Sequence, residues 1–354
     1  MNVRRLIPPT ALAGAVALGL VSLSACAGSS DAAGGDSGSG GGKLDVVASF
    51  YPVQFLAERI GGDHVAVETL TKPGVEPHDL ELKPRQVGAL GDADVILYLK
   101  GIQPAVDKAI AQARVENTVD AATLTKLEEH GTGVDGAHEG ESPEEHAAHA
   151  EEGHAEEGHA EAGHAEEGHE GHEGHDHGSE AGADPHIWLD PVKYAEVAKG
   201  VGAAFEKADP AHAADYRKNT ADLVKKLEGL DTEFETGLKN TTTRTFITTH
   251  SAFGYLAERY GLDQEGISGI DPESEPSPAR MKELQRVAAH EKVTTVFFET
   301  LASDRTAKTL AGDTGLKTDV LDPLEGITDR SRGDDYFEVM RSNLTALKKA
   351  LGAK

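Results

Sequence analysis

Short runs of β-branched and apolar residues alternate with stretches of helical periodicity along most of this chain. Residues 45–49 predict a strand followed by a helix over 52–60, residues 65–70 a second strand, and 94–99 with 104–114 another strand-helix pair. The pattern returns at 245–249 before a helical 252–260, at 293–298 before 305–313, and at 318–321. Strands separated by helices are joined by crossovers, which implies parallel sheets. The expected architecture is two parallel-sheet α/β lobes. Between them residues 191–240 read as helical, with one break at Ala208-Asp209-Pro210. Beyond the break Leu223, Leu227, Leu230 and Phe234 hold one face of a helix over 211–238. At ~1.5 Å per residue that helix is roughly 40 Å long, a rigid connector rather than a hinge.

Two stretches break the alternation. The first begins with Arg4 and Arg5, continues through an apolar run over 11–23, and ends in Leu23-Ser24-Ala25-Cys26. That order reads as a secretion signal with a lipobox, the apolar run being short for a ~30 Å bilayer core. Cys26 is the only cysteine. It can form no internal disulfide and is the expected lipidated residue, which would anchor the protein to the lipid membrane on its extracytoplasmic side. Residues 27–42, nearly all Gly, Ser, Ala and Asp, then read as a flexible tether.

The second stretch, residues 130–184, holds eleven of the seventeen histidines and seventeen Asp and Glu, with no Lys or Arg. His154, His159, His164 and His169 recur five residues apart. Five residues turn a helix by ~500°, so these histidines would share no face, and a Gly in every repeat weakens the helix further. The stretch reads as a disordered insertion whose His154, His159, His164, His169, His172, His175 and His177 offer weak auxiliary metal sites. It also carries more than half of the formal net charge of -27. With no long Lys or Arg cluster anywhere, nucleic acid is excluded as an expected partner. The expected organisation is a signal over 1–25, a lipidated tether over 26–42, an N-terminal lobe over 43–190 interrupted at 130–183, a linking helical segment over 191–241, and a C-terminal lobe over 242–354.

Outside the insertion six histidines remain: His64, His78, His186, His212, His250 and His290. His78 lies in a Pro-rich loop after the strand at 65–70, and His186 lies between two Asp-Pro pairs beside the only Trp, Trp188. His250 ends the strand at 245–249, and Asp322 follows the strand at 318–321. Ligand crevices of open α/β sheets lie outside the carboxyl ends of the strands, where all four fall. Three imidazoles and one carboxylate would make a closed tetrahedral zinc set in the cleft between the lobes, with two from each lobe. Four protein ligands leave no open position for water or substrate, so such a set argues for binding rather than catalysis. Taken singly, each has a plainer reading: a strand-end His often satisfies core or capping bonds, and an Asp before Pro is a turn former.

At these motifs the sequence resembles the metal-binding solute-binding proteins of zinc and manganese ATP-binding-cassette importers. The similar segments are Pro77-His78-Asp79-Leu80-Glu81-Leu82-Lys83-Pro84, Asp184-Pro185-His186-Ile187-Trp188-Leu189-Asp190-Pro191, His250-Ser251-Ala252-Phe253-Gly254-Tyr255 and Phe297-Phe298-Glu299. The resemblance implies two α/β lobes joined by one long helix, a metal site of His78, His186, His250 and Asp322, no enzymatic activity, and delivery to a membrane ABC permease. A histidine-rich loop before the second ligand is typical of zinc-importing members. A third imidazole at His250 favours Zn2+ over Mn2+, because carboxylates suit manganese, while copper or nickel could compete on affinity alone. Glu76 is the alternate fourth ligand, and Glu299 is placed to hydrogen-bond a ligand imidazole. The chain departs from some zinc-binding relatives in that its single cysteine permits no disulfide in the C-terminal lobe. The expected protein is a monomer. The competing readings are a manganese importer component, a surface metal-dependent adhesin, and a cell-surface zinc hydrolase, the last lacking any His-Glu-x-x-His helix. Metal capture should weaken below pH ~6, because imidazole binds metal only when neutral.

Overall fold

Side-chain alternation along buried strands sets the architecture. The computed structural model describes residues 42–113, 117–130 and 183–354. The signal, Cys26, the tether and all the insertion histidines from His138 to His177 lie outside the described residues. The first sheet contains β1 (Leu44–Ala48), β2 (Val65–Thr69), β3 (Val95–Tyr98) and β4 (Thr118–Asp120), all parallel and ordered β2-β1-β3-β4. Val46 and Ala48 point into the large core, whereas Val47 turns to the opposite face with Ile96. There α2 (Pro84–Asp92) and α3 (Pro104–Ala113) cover it with Leu90, Val106 and Ile110.

The second sheet repeats the plan with β5 (Thr245–Thr248), β6 (Asp263–Gly266), β7 (Thr295–Phe298) and β8 (Lys317–Val320), ordered β6-β5-β7-β8 and again parallel. Phe246 and Phe297 face the large core, while Ile247 and Val296 meet Leu284 of α7 (Pro278–His290) and Leu310 of α8 (Arg305–Thr314). Each sheet is thus buried on both faces, as parallel sheets require.

The remaining helices fill the space between the sheets: α1 (Tyr51–Gly61), α4 (Pro191–Ala208), α5 (Ala213–Leu238), α6 (Gly254–Tyr260) and α9 (Tyr336–Leu351). Asp190 starts α4 by accepting from the Val192 and Lys193 amides, with Pro191 in the first turn, where its missing N–H costs nothing. Pro210 and a short 3-10 turn end that run, and α4 lies along α5. The spine is α5, whose Leu223, Leu227, Leu230, Phe234 and Leu238 are buried and which packs on α1 at one end and on α9 at the other. One apolar core therefore runs unbroken from Val53 in the first lobe to Leu347 in the second. Polar ties reinforce it: Arg259 Nε donates to the buried Asp190 carboxylate at 2.8 Å, and Trp188 Nε1 donates to the Pro323 carbonyl at 2.7 Å. Among the described residues no helix is long and apolar enough to cross a membrane.

Candidate metal centre

The chain leaves each parallel strand at its carboxyl end, and there the two sheets face each other. His250 stands two residues beyond β5, Glu299 follows β7 directly, and His78 sits in the loop after β2. His186 precedes the 3-10 turn Ile187–Leu189, whose Trp188 is wedged edge-on against Phe50 with centroids 5.2 Å apart. These placements bring His78, His186 and His250 together around Glu325, with one ligating atom of each within 4.8 Å of every other.

The carboxylate expected from the second lobe was Asp322, and the structure assigns Asp322 a different task. Its side chain accepts from the Leu324 amide at 2.9 Å and the Thr300 hydroxyl at 3.2 Å. Its own backbone N–H and C=O are both bonded to the Asn343 amide group. Burial holds its carboxyl above the usual range. The physical reason for the displacement is the turn that follows. Leu324 is fully buried at φ 60, a conformation uncommon without glycine, and it swings Glu325 back towards the histidines. Asp322 supports that turn. In the sequence Glu325 is marked only as a second acid three residues after the turn-forming Asp322-Pro323, with no sign of which of the two faces the histidines.

Glu325 is completely buried, and its Oε1 lies 3.5 Å from His78 Nε2, 3.4 Å from His186 Nε2 and 3.4 Å from His250 Nε2. These separations exceed charge-assisted hydrogen bonds of about 2.7–2.9 Å. Accordingly the three Nε2 atoms and both Glu325 oxygens have no hydrogen-bond partner among the described residues, although all are buried. Corners of a tetrahedron with arms of about 2.0–2.1 Å, the zinc–nitrogen and zinc–oxygen lengths, lie about 3.3–3.4 Å apart. The nitrogen–oxygen spacing is that of ligands to a tetrahedral zinc.

The opposite edges of two rings are fixed. His186 Nδ1 meets Asp184 Oδ1 at 2.7 Å, and His250 Nδ1 meets Glu299 Oε1 at 2.8 Å. An ionised carboxylate only accepts, so Nδ1 carries the proton and Nε2 presents its lone pair to the centre. Thr249 Oγ1 also donates to Glu299, at 2.6 Å. Burial opposes charge on both rings, but the Asp184 and Glu325 carboxylates raise His186, and Glu299 with Glu325 holds His250 well above the ordinary imidazole value. The three imidazoles in turn outweigh burial at Glu325 and keep it ionised well below the usual range. Glu76 lies outside the four-atom group; its Oε1 accepts from the His78 amide at 3.2 Å, and burial with the nearby Glu325 pushes it up to about 9.

The other histidines go elsewhere. His64 and His212 stack at 4.0 Å on the surface, each on its own aspartate, and His290 is exposed beside Glu291. His130, read in sequence as the first residue of a disordered insertion, is instead packed between Asp184, Glu258 and the Tyr255 ring.

Fold and site together define a two-lobed α/β protein with a buried, nitrogen-rich donor set suited to a divalent transition metal. Residues 46–350 match the family model "Zinc-uptake complex component A periplasmic", and the chain belongs to that family. It is 34% identical over 313 residues to the zinc-binding lipoprotein AdcA of Streptococcus pneumoniae, covering 87% of this chain and 56% of that protein. The chain thus spans just over half the length of the streptococcal relatives it matches. It is 33% identical to the high-affinity zinc uptake system protein ZnuA of Bacillus subtilis, over 90% of this chain and 91% of that one. The crystal structure of the Zn(II)-bound ZnuA-like domain of Streptococcus pneumoniae AdcA superposes with a TM-score of 0.65 at 31% identity, covering 88% of this chain and 99% of that domain.

Proposed function

We propose that this chain is the zinc-binding component of an ABC-type importer, which captures Zn2+ outside the cytoplasm through His78, His186, His250 and Glu325 and delivers it to a membrane permease. The observation that carries the reading is the arrangement of three buried, unpartnered imidazole nitrogens 3.4–3.5 Å from one buried carboxylate oxygen. Three nitrogens and one oxygen favour zinc over manganese, and four protein ligands leave no site for a substrate, which argues against an enzyme. The names of the relatives, a zinc-binding lipoprotein and a zinc uptake protein, support the same role. Lipidation at Cys26, anchoring at the membrane face, a monomeric state and weak zinc collection by His154, His159, His164, His169, His172, His175 and His177 belong to this proposal.

Competition titration of the Cys26→Ser protein with zinc and manganese tests it. One tight zinc equivalent, abolished by His250→Ala and not displaced by equimolar manganese, is the expected result. Equal preference for manganese would overturn the metal assignment.

A further inference from the structure

A second group of metal-ligating side chains lies where the described chain leaves for residue 131 and resumes at residue 183. The two segments are joined there, the Asp184 amide donating to the Glu128 carbonyl at 2.9 Å. Donor atoms of Glu128, His130 and Glu258 lie within 4.8 Å of one another. We propose that these three residues form a second, weaker divalent-cation site, distinct from the Glu325 centre and coupled to it through Asp184.

The seat of His130 is built for it. A Cβ on Gly254 would stand 2.4 Å from His130 Cβ, so the imidazole fits only because α6 begins with glycine. The Tyr255 ring meets its face edge-on at 4.3 Å, and the side chain is only 13% exposed. Its Nδ1 meets Asp184 Oδ2 at 3.0 Å, which fixes the proton on Nδ1 and turns Nε2 towards Glu258 Oε2, 2.8 Å away. Glu258 lies four residues after Gly254, one helical turn along the same face of α6. Glu128 is fixed from behind, its amide donating to the Tyr255 hydroxyl at 2.8 Å.

The fully buried Asp184 is shared. Its Oδ1 orients His186 and its Oδ2 orients His130, so one carboxylate sets the tautomer of an imidazole in each site. Carboxylate-imidazole-metal is the usual way a protein orders a histidine ligand. Lys193 and Lys126 stand 3.2 and 3.9 Å from Glu128 Oε1 and offset part of the charge of the two carboxylates, so a cation must displace those contacts, which keeps this site weaker than the Glu325 centre. One nitrogen and two oxygens suit zinc and tolerate other divalent ions, and three protein ligands leave a position for water. Such a site exchanges its cation faster than a closed four-ligand set. It would serve as a staging position at the root of the histidine-rich segment.

Crystals of the full chain soaked in zinc, with anomalous scattering recorded at the zinc edge, test this directly. The expected map has two peaks. The second lies about 2.0–2.2 Å from His130 Nε2 and from one oxygen each of Glu128 and Glu258. In Glu258→Gln, whose side chain is 58% exposed and peripheral to the fold, the second peak should vanish and the Glu325 peak remain. Zinc at the Glu325 centre alone, at saturating zinc, overturns the proposal. Zinc at His130 alone upholds it and overturns the primary assignment instead. In solution, chelator competition should show one fewer weak equivalent in Glu258→Gln with the tight equivalent unchanged; an unchanged weak stoichiometry counts against the site.

Discussion

His186, His250 and Glu325 differ from His78 in how they are held. The first three are fully or almost fully buried, and both rings have a carboxylate behind them. His78 keeps about 10% of its side chain exposed, sits in a loop whose residues Lys72, Pro73, Gly74 and Val75 are exposed, and has no carboxylate on Nδ1 among the described residues. Three donors are therefore set in place by the shared core and its cross-lobe bonds, whereas the fourth is set by a loop. Preorganisation of this kind lowers the ordering cost of binding, while the one donor held by a partly exposed loop lies on the accessible side of the site. Metal should enter and leave past His78.

The largest expected effect breaks the comparison open. His250→Ala removes a donor from the rigid set and strands Glu299 without its imidazole partner. Zinc affinity should fall well beyond the roughly 100-fold that loss of an outer partner costs. His78→Ala should cost clearly less, because water can reach that corner, and should instead speed zinc release. Stopped-flow release into a chelator, with equilibrium competition on the same variants, measures both; equal losses of affinity for the two would refute the rigid-versus-loop distinction.

Acidity acts on the rigid pair. His186 and His250 are raised above the ordinary 6.5 by their carboxylate neighbours, so metal must displace protons from them even above that pH. Two displaced protons change affinity by up to ~100-fold per pH unit. Affinity should therefore go on rising with pH well above 6.5, where free imidazoles would already have lost most of their protons. The linkage to stability has the opposite sign in the zinc-free protein. A raised imidazole contributes stability that is complete below its unfolded value and lost as pH rises through its folded value. Melting temperatures across pH 5.5 to 8.5 should fall for the zinc-free protein and rise for the zinc-loaded one. Parallel curves would mean that these imidazoles are not the groups being displaced.

Below these in size come the carboxylates behind the rings. Asp184→Asn and Glu299→Gln keep the volume but lose the charge that fixes Nδ1–H. Each should weaken zinc by about 10–100-fold. Asp184→Asn should also loosen His130, whereas Glu299→Gln should not, and imidazole nitrogen shifts in NMR spectra would separate the two.

Much of this is legible in the amino-acid sequence. The strands β1, β2, β3, β5 and β7 and the spine α5 announce themselves through apolar runs and helical spacing. β6 does not, because Asp263-Gln264-Glu265-Gly266 is an edge strand with polar, partly exposed side chains. The three central histidines were visible from their strand-end positions and motifs. His130 was hidden by its neighbours, since composition assigned it to the histidine-rich stretch while one buried aspartate and one missing Cβ actually seat it.

The acidic corner is where local reading failed, and the failure makes the finest test. Asp322 and Glu325 are three residues apart, both buried, both beyond β8. Nothing in Asp322-Pro323-Leu324-Glu325 tells which one turns inward until Leu324 is known to sit at φ 60. If Glu325 faces the metal, Glu325→Gln removes the only anionic donor and should rank with His250→Ala. Asp322→Asn retains an oxygen that can accept from the Leu324 amide, so the turn should survive with a loss of no more than about the 1 kcal/mol of an ordinary hydrogen bond, roughly fivefold in affinity. Asp322→Ala, which cannot form the turn, should fall between them by misplacing Glu325. The opposite ranking, with Asp322→Asn the most damaging of the three in zinc competition, would return the fourth position to Asp322.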